Sequence, residues 1–453
     1  MSCDLEFNDQ QPLPFYLRRS NADVKAKEDS NHNLMRLLET LFSPLNDNAN
    51  FWWREMGQTV ANLMNQADYD LDSLVRNLIF VRNNVVGWMG PKPPHDWKSY
   101  ICDDHSPVEY SWSWNGSWKS RGDKPKIRLV FEPNGPDSGS SSDPLNLYMV
   151  NEFMKEVQHV TNVDFEIHDH FVKMLTCSLP HQTATMRGRV LPALHRSSMV
   201  VGIEFEDEGA TPTIKTYYMP LAKALETNQT QAKVVFDAIQ SFNRTHRHQY
   251  LAFDELLKYI SNDPLGSKAE CEIVAIDCVE TSKSRVKLYL RSQDTSWTGI
   301  CQLMTLNGTL PVSSQALERM REMWCSVLSI DITAFSNDLQ MGQSHQEPDS
   351  GIFVCYYARP DEELRSKFFI PVKYYARDDE AVMEGLTRCI RRQDQTTVPY
   401  IDCYRNVVKQ ICSFRSLDQG CGIHSWISCE PHGNELAITS YFSPEINHPS
   451  RNW

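Results

Sequence analysis

Glu109-Tyr110-Ser111-Trp112-Ser113-Trp114 and, further on, Ile127-Arg128-Leu129-Val130-Phe131-Glu132 change character at every second residue. Successive side chains on a strand point to opposite faces, so both stretches read as strands. The polar residues 115–126 between them are long enough to be an inserted loop. A second loop follows in Pro133-Asn134-Gly135-Pro136 and residues 139–142, and Asp143 is then expected to cap a helix with Pro144 at its first position, running to about Val160.

Working outward, the pattern of two strands followed by helices recurs. Strands are expected near 164–178, 199–206 and 213–219, then helices near 220–242 and 252–262. Strands near 271–278 and 285–291 precede a helix near 313–328; strands near 352–358 and 368–376 precede helices near 378–392 and 400–413. The last strands fall near 423–429 and 435–442. Ahead of the first strand the spacing is helical: Leu34, Leu37, Leu38 and Leu41 share one face, and Leu71, Leu74, Val75, Leu78 and Ile79 another. Gly90-Pro91 and Pro93-Pro94 stop those helices, and residues 1–30 are polar and read as a flexible N-terminal arm. No linker rich in Gly, Pro or Ser separates the cycles. The expectation is therefore a single α+β domain over 31–453, a closed barrel of about ten antiparallel strands surrounded by helices. Several small α+β domains are the alternative.

The composition restricts function. With 453 residues, 45 Lys+Arg and 58 Asp+Glu, the chain carries a formal charge of −13, which argues against nucleic acid or an anionic membrane as partner. No stretch approaches the roughly 20 apolar residues of a spanning helix, and no signal-peptide core is present, so a soluble cytoplasmic protein is expected. The thirteen cysteines are scattered, often within apolar patterns, with no Cys-x-x-Cys pair; they read as small buried hydrophobes, not zinc ligands. Asp-rich, P-loop and dinucleotide-binding motifs are all missing.

Several strands place a cation and an aromatic ring on the same face: Lys215, Tyr217 and Met219; Arg285, Lys287 and Tyr289; Arg128; Lys367/Phe369 or Lys373/Tyr375; and Tyr441 at the end of the last strand. For one strand alone this could be a solvated outer face. Across four or five strands of a closed barrel, those faces converge on the lumen, where uncompensated charge needs an anion. A diphosphate suits such a cluster, and tyrosine rings could shield a carbocation.

These residues resemble the fungal aromatic prenyltransferases of the dimethylallyltryptophan synthase type. The similarity is carried by Trp52-Trp53, Gly90-Pro91-x-Pro93, Pro107-x-Glu109-Tyr-Ser-Trp, Arg128-x-x-Phe131-Glu132-Pro133, Asp143-Pro144-x-Asn146, Lys215-Thr-Tyr217-x-x-Pro220, Ser284-Arg285-Val-Lys287-Leu-Tyr289 and Ile438-Thr-Ser-Tyr441-x-Ser-Pro444. Each is weak alone, but they occur in family order from about residue 52 to 444.

The resemblance implies metal-independent transfer of a dimethylallyl group from its diphosphate onto an aromatic ring, commonly an indole, in secondary metabolism. Arg128, Lys215, Arg285 and Lys287 would bind the diphosphate, with Lys367 as a further polar contact. Tyr217, Tyr289 and Tyr441 would shield the allyl cation and hydrogen-bond phosphate oxygens. Glu109, which alternation alone leaves open as a surface residue, would accept the indole N–H. Ile101, Met219 and Trp426 would line the acceptor site. No cofactor is implied beyond dimethylallyl diphosphate as co-substrate; the other partner is a small aromatic acceptor. The oligomeric state is open, a homodimer included.

Departures bear on the acceptor. Met219 and Phe369 replace tyrosines common in the family, Val200 stands in an apolar strand where tryptophan-accepting members place a lysine, and Glu272 falls near their carboxylate-binding arginine. These changes point away from free tryptophan and towards a tryptophan-containing diketopiperazine or related indole alkaloid. The same chemistry on a phenolic, tyrosine, xanthone or other polyketide-derived acceptor is the alternative; a non-catalytic isoprenoid-binding protein is a third.

Overall fold

The computed structural model describes residues 21–94, 96–114, 124–177, 197–207, 210–333, 335–342, 351–393 and 398–451. Ten strands follow in chain order: β1 (Val108–Trp114), β2 (Lys126–Phe131), β3 (Met199–Glu204), β4 (Thr213–Tyr218), β5 (Glu270–Asp277), β6 (Val286–Ser292), β7 (Ile352–Ala358), β8 (Arg365–Ile370), β9 (His424–His432) and β10 (Glu435–Phe442). Each runs antiparallel to its chain neighbours. β1 also pairs with β10, Tyr110 opposite Phe442 and Trp114 opposite Ile438, which closes the sheet into a barrel.

Alternation assigns the two faces. On β1, Val108, Tyr110, Trp112 and Trp114 are buried against the outer helices, while Glu109, Ser111 and Ser113 face the lumen. On β2, Ile127, Leu129 and Phe131 are buried outside and Arg128 points inward. The large core therefore lies between barrel and helices, leaving the interior free for polar chemistry. The indoles of Trp112 and Trp114 sit 6.0 and 4.9 Å from the ring of Tyr404 on helix Pro399–Ile411, whose hydroxyl donates to Ser440 on β10 at 3.1 Å.

Several expectations require correction. Residues 166–175 form a helix (Glu166–Leu175), not a strand: Ile167, Phe171 and Leu175 recur every four residues and are buried, so the helical period wins. The helix after Asp143 spans Leu147–Val157, shorter than expected. Asp143 does cap it, accepting from the backbone N–H groups of Leu147 and Tyr148 at 2.8 and 3.2 Å. Asn146, at φ 51°, delays its start by donating to Glu132 and to the Pro133 carbonyl at 3.0 and 2.8 Å. Glu132 also accepts from Ser197 at 2.9 Å, so the Glu132 and Asn146 motifs tie strand, loop and helix together and do not face substrate. β8 ends at Ile370 because Pro371 follows, and residues Val372–Tyr375 form a single helical turn. Helix Trp297–Thr305, capped by Ser296, lies between β6 and β7 and was not expected.

At the N-terminus, helix Asn21–Leu41 takes in the last ten residues assigned to the arm, and the buried Met35 and Leu38 anchor its later turns. Residues 1–20 and 115–123 of the expected arm and inserted loop lie outside the described residues. Gly90 stops the preceding helices as expected. Its φ is +71°, and a Cβ there would come within 1.8 Å of Asn134 Oδ1, so only glycine fits. Among the described residues, no helix is long and apolar enough to cross a membrane.

Because Trp112 is fully buried where barrel meets helix, Trp112→Ala should lower unfolding stability by about 3–5 kcal/mol, measured by urea titration. A loss below about 1 kcal/mol would contradict this packing.

Candidate active site

Inward-facing residues of the barrel enclose two connected chambers. The inner one, about 140 Å³, is lined by Arg128, Lys215, Arg285, Lys287 and Lys367. The outer one, about 650 Å³, is lined by Ile101, Met219 and Trp426, with Tyr100, Arg291, Phe353, Lys373 and Tyr374. Glu109, Tyr217, Tyr289, Phe369 and Tyr441 line both. Thus every site residue expected from the sequence borders this lumen.

An arc of rings marks the division. Tyr217 and Tyr289 lie 6.5 Å apart between centroids, Tyr289 and Phe369 5.5 Å, and Phe369 and Tyr441 5.6 Å. Burial keeps Tyr217 and Tyr289 protonated, so their hydroxyls remain donors. Phe369 lacks that hydroxyl and contributes only its face.

In the inner chamber the cations are partly compensated. Glu204 on β3 accepts from Arg128 at 2.6 Å and lies 3.3 Å from Lys215. Asp277 on β5 meets Lys215 at 2.7 Å, Arg285 at 2.6 Å and Lys287 at 3.4 Å. Burial works against both carboxylates, but the surrounding cations hold them well below their ordinary range. Four cations against Glu204 and Asp277 leave an excess of two positive charges, and the fifth cation, Lys367, is offset by Glu430 on the same chamber wall. Lys287 bears the strain: burial, with repulsion from Arg285 and Lys215, outweighs Asp277 and lowers its ammonium to about 7. This arrangement stays folded yet favours a polyanion.

Glu204 and Asp277 were missed from the sequence. They sit directly across the ladder from Arg128 and Lys215, so only the strand register reveals them.

The outer chamber holds Glu109, whose carboxylate accepts from Ser425 at 2.5 Å. Burial pushes the Glu109 carboxyl up to about 7, against the Ser425 hydrogen bond and the Lys373 charge. Ser425 was also missed: β9 carries one residue more than β10 between the pairs Trp426–Tyr441 and His424–Phe442, and that bulge aims its side chain at Glu109. Lys373, expected on a strand, reaches the chamber from the helical turn after Pro371. It lies 2.6 Å from Asp103, 4.6 Å above Tyr374 and 5.0 Å above Trp426, while Tyr375 does not line the chamber. Among the described residues, no group of three His, Cys, Asp or Glu side chains is placed to hold a metal ion.

The raised carboxyl makes a stability prediction. Glu109 in the folded protein retains a proton that the unfolded chain releases above pH 4.5, so its contribution to stability falls as pH rises from 4.5 to about 7. Glu109→Gln should gain on the wild type across that window and level off above it, read from urea midpoints at several pH values. A pH-independent difference would refute the assignment.

Comparison with known proteins gives the chain relatives over most of its length. The tryptophan dimethylallyltransferase family model matches residues 48–403. The chain is 28% identical over 408 residues to 4-O-dimethylallyl-L-tyrosine synthase of Claviceps purpurea, covering 88% of this chain and 89% of that protein. It is 25% identical over 397 residues to 7-dimethylallyltryptophan synthase of Aspergillus fumigatus, covering 83% and 81%. In fold it is similar to AnaPT from Neosartorya fischeri, with a TM-score of 0.76 at 21% identity over 91% of this chain and 97% of that one. The structure of NotF in complex with brevianamide F and DMSPP superposes with a TM-score of 0.75, again at 21% identity, covering 91% and 98%.

Proposed function

The chain belongs to the tryptophan dimethylallyltransferase family and is a prenyltransferase, and on that premise we propose how its lumen works: it moves a dimethylallyl group from dimethylallyl diphosphate to an aromatic ring whose N–H or O–H is held by Glu109. The observation that carries this reading is the arc Tyr217–Tyr289–Phe369–Tyr441 standing between a chamber of excess positive charge and a wider chamber, with Glu109 on the wall where the two meet.

The diphosphate lies among Arg128, Lys215, Arg285 and Lys287, with Lys367 and the Tyr217, Tyr289 and Tyr441 hydroxyls as further donors. When the allylic C–O bond breaks, its electron pair leaves with the diphosphate, and the cations stabilise that growing negative charge without reorganising. The charge is supplied by side chains, so the transfer needs no metal ion. The allyl cation forms against the ring faces, which attract it and exclude water that would quench it.

On the other side, Ile101, Met219 and Trp426 wall the acceptor, and the Glu109 carboxylate accepts its ring N–H or phenolic O–H. That bond strengthens as the ring loses electron density to the cation, so it stabilises the transition state more than the bound substrate. The proton displaced from the attacked atom passes to the released diphosphate or, from a phenolic oxygen, to Glu109. An indole remains the leading acceptor. A phenol such as tyrosine is the second reading, favoured by the relative named for O-dimethylallylation of tyrosine.

Purified protein given dimethylallyl diphosphate should alkylate an indole or phenol acceptor in excess EDTA, and Glu109→Gln should reduce turnover by ~10²–10⁴-fold. Strict dependence on added magnesium, or near wild-type turnover in the variant, would defeat this reading.

Donor binding should also move a proton. At pH 8 the Lys287 amine of the free protein is largely neutral, and a bound diphosphate draws a proton onto it. Calorimetry in two buffers of different ionisation enthalpy should show uptake approaching one proton at pH 8 and shrinking by pH 6. Lys287→Met should abolish the uptake; an unchanged value would place the titration elsewhere.

A further inference from the structure

A second register shift lies at the acceptor end of the barrel. β5 pairs Cys271 with Leu290 and Ile273 with Tyr289 on β6, leaving Glu272 as the extra residue. Regular alternation would place Glu272 on the outward face with Val274 and Ile276. The bulge turns Cys271 into the outer core and Glu272 into the outer chamber. There it meets Arg291, two residues beyond Tyr289 on the lumen face of β6. Arg291 Nε donates to Glu272 Oε1 at 2.6 Å and Nη2 to Oε2 at 3.0 Å. The guanidinium lies 4.3 Å over the ring of Phe353, and the Tyr100 hydroxyl donates to Glu272 at 3.2 Å.

The wider chamber shows what such a pair can select. Apart from Glu109 and His105, its charged lining comprises Lys268, Arg291 and Lys373 against Asp103, Glu270 and Glu272, three of each sign. Beyond Glu109, these six charges balance, so their sum favours neither an anion nor a cation. Its selectivity lies in a local dipole, with Arg291 and Glu272 side by side on the wall.

We propose that Arg291 and Glu272 determine acceptor specificity by holding a bipolar end remote from the reacting ring: an electron-rich oxygen against Arg291 and an adjacent N–H against Glu272. A free α-amino acid head has this chemistry, and so do the C=O and N–H of its amide. Either exchanges the internal ion pair for two contacts of the same sign. An end carrying only a carboxylate meets Glu272 as a like charge, and an end carrying only an amine meets Arg291. The reading rests on the outer chamber being the acceptor site. It also revises the expectation that Glu272 is among the changes pointing away from free tryptophan, since the adjacent strand supplies the arginine.

The test is calorimetric binding of probes sharing one ring: L-tryptophan, indole-3-propionate, tryptamine and the cyclic Trp–Pro dipeptide, with L-tyrosine, 3-(4-hydroxyphenyl)propionate and tyramine in parallel. A bipolar probe should bind at least ~10-fold more tightly than both singly charged analogues of its ring. Preference for the free amino acid or for the cyclic dipeptide identifies which source the site takes. Glu272→Gln should shift preference towards the propionate and Arg291→Gln towards the amine. The double reversal Glu272→Arg/Arg291→Glu keeps an ion pair, guards against misfolding, and should restore the bipolar preference. A purely structural pair would weaken all probes alike in both single variants, and that result, or equal binding of bipolar and singly charged probes by the wild type, overturns the proposal. Binding is read without turnover, so preserved binding preferences with no prenylated product would count against the prenyl-transfer reading alone.

Discussion

Pairing of β1 with β10 joins the first strand to the last across the whole chain and turns the polar face of a sheet into the inside of a tube. On an open sheet Arg128, Lys215, Arg285 and Lys287 would each be solvated and independent. Closure brings them into one small volume with little water, where charges interact strongly. Such a cluster folds only with internal counter-charge, which Glu204 and Asp277 supply from register positions opposite Arg128 and Lys215. Two carboxylates leave the lumen electropositive, and the strain appears in the depressed Lys287 amine. Folding and anion binding are thus two demands on one charge balance.

A regular barrel strand presents one set of residues inward, at a spacing of two. Both departures from that regularity on β5 and β9 fall at the wider chamber. One extra residue on β9 aims Ser425 at Glu109; one on β5 turns Glu272 towards Arg291. The narrow chamber uses plain alternation, whereas the wider one also takes side chains from bulges, from the loop carrying Ile101 and Asp103, and from the helical turn carrying Lys373. Cation–ring pairs in the narrow chamber follow directly from strand period. The wider chamber is assembled from irregular backbone, where specificity can change without altering the barrel.

The same contrast explains what could be read from the chain. The barrel, its strand count and the inward set Arg128, Lys215, Tyr217, Lys287, Tyr289, Lys367 and Tyr441 are written in a local period of two. Alternation alone leaves the face of Glu109 open, its motif points to the lumen, and there the structure places its side chain. Residues 166–175 form a short apolar segment that fits either period, and packing of Ile167, Phe171 and Leu175 decides for the helix. The overall charge of −13 correctly describes the sign of the whole chain but conceals a lumen of opposite sign.

By itself, the sequence determined the alternation that makes the strands, the faces they present, and the cations and rings on those faces, because each depends on residues only two positions apart. Tertiary structure decided what met what. Glu204 and Asp277 are compensating groups only in the register that places them beside their cations, and Arg291 and Glu272 are partners only because β5 and β6 pair with one residue to spare. Register and bulges arise from contacts between distant segments, and no local pattern in the chain encodes them.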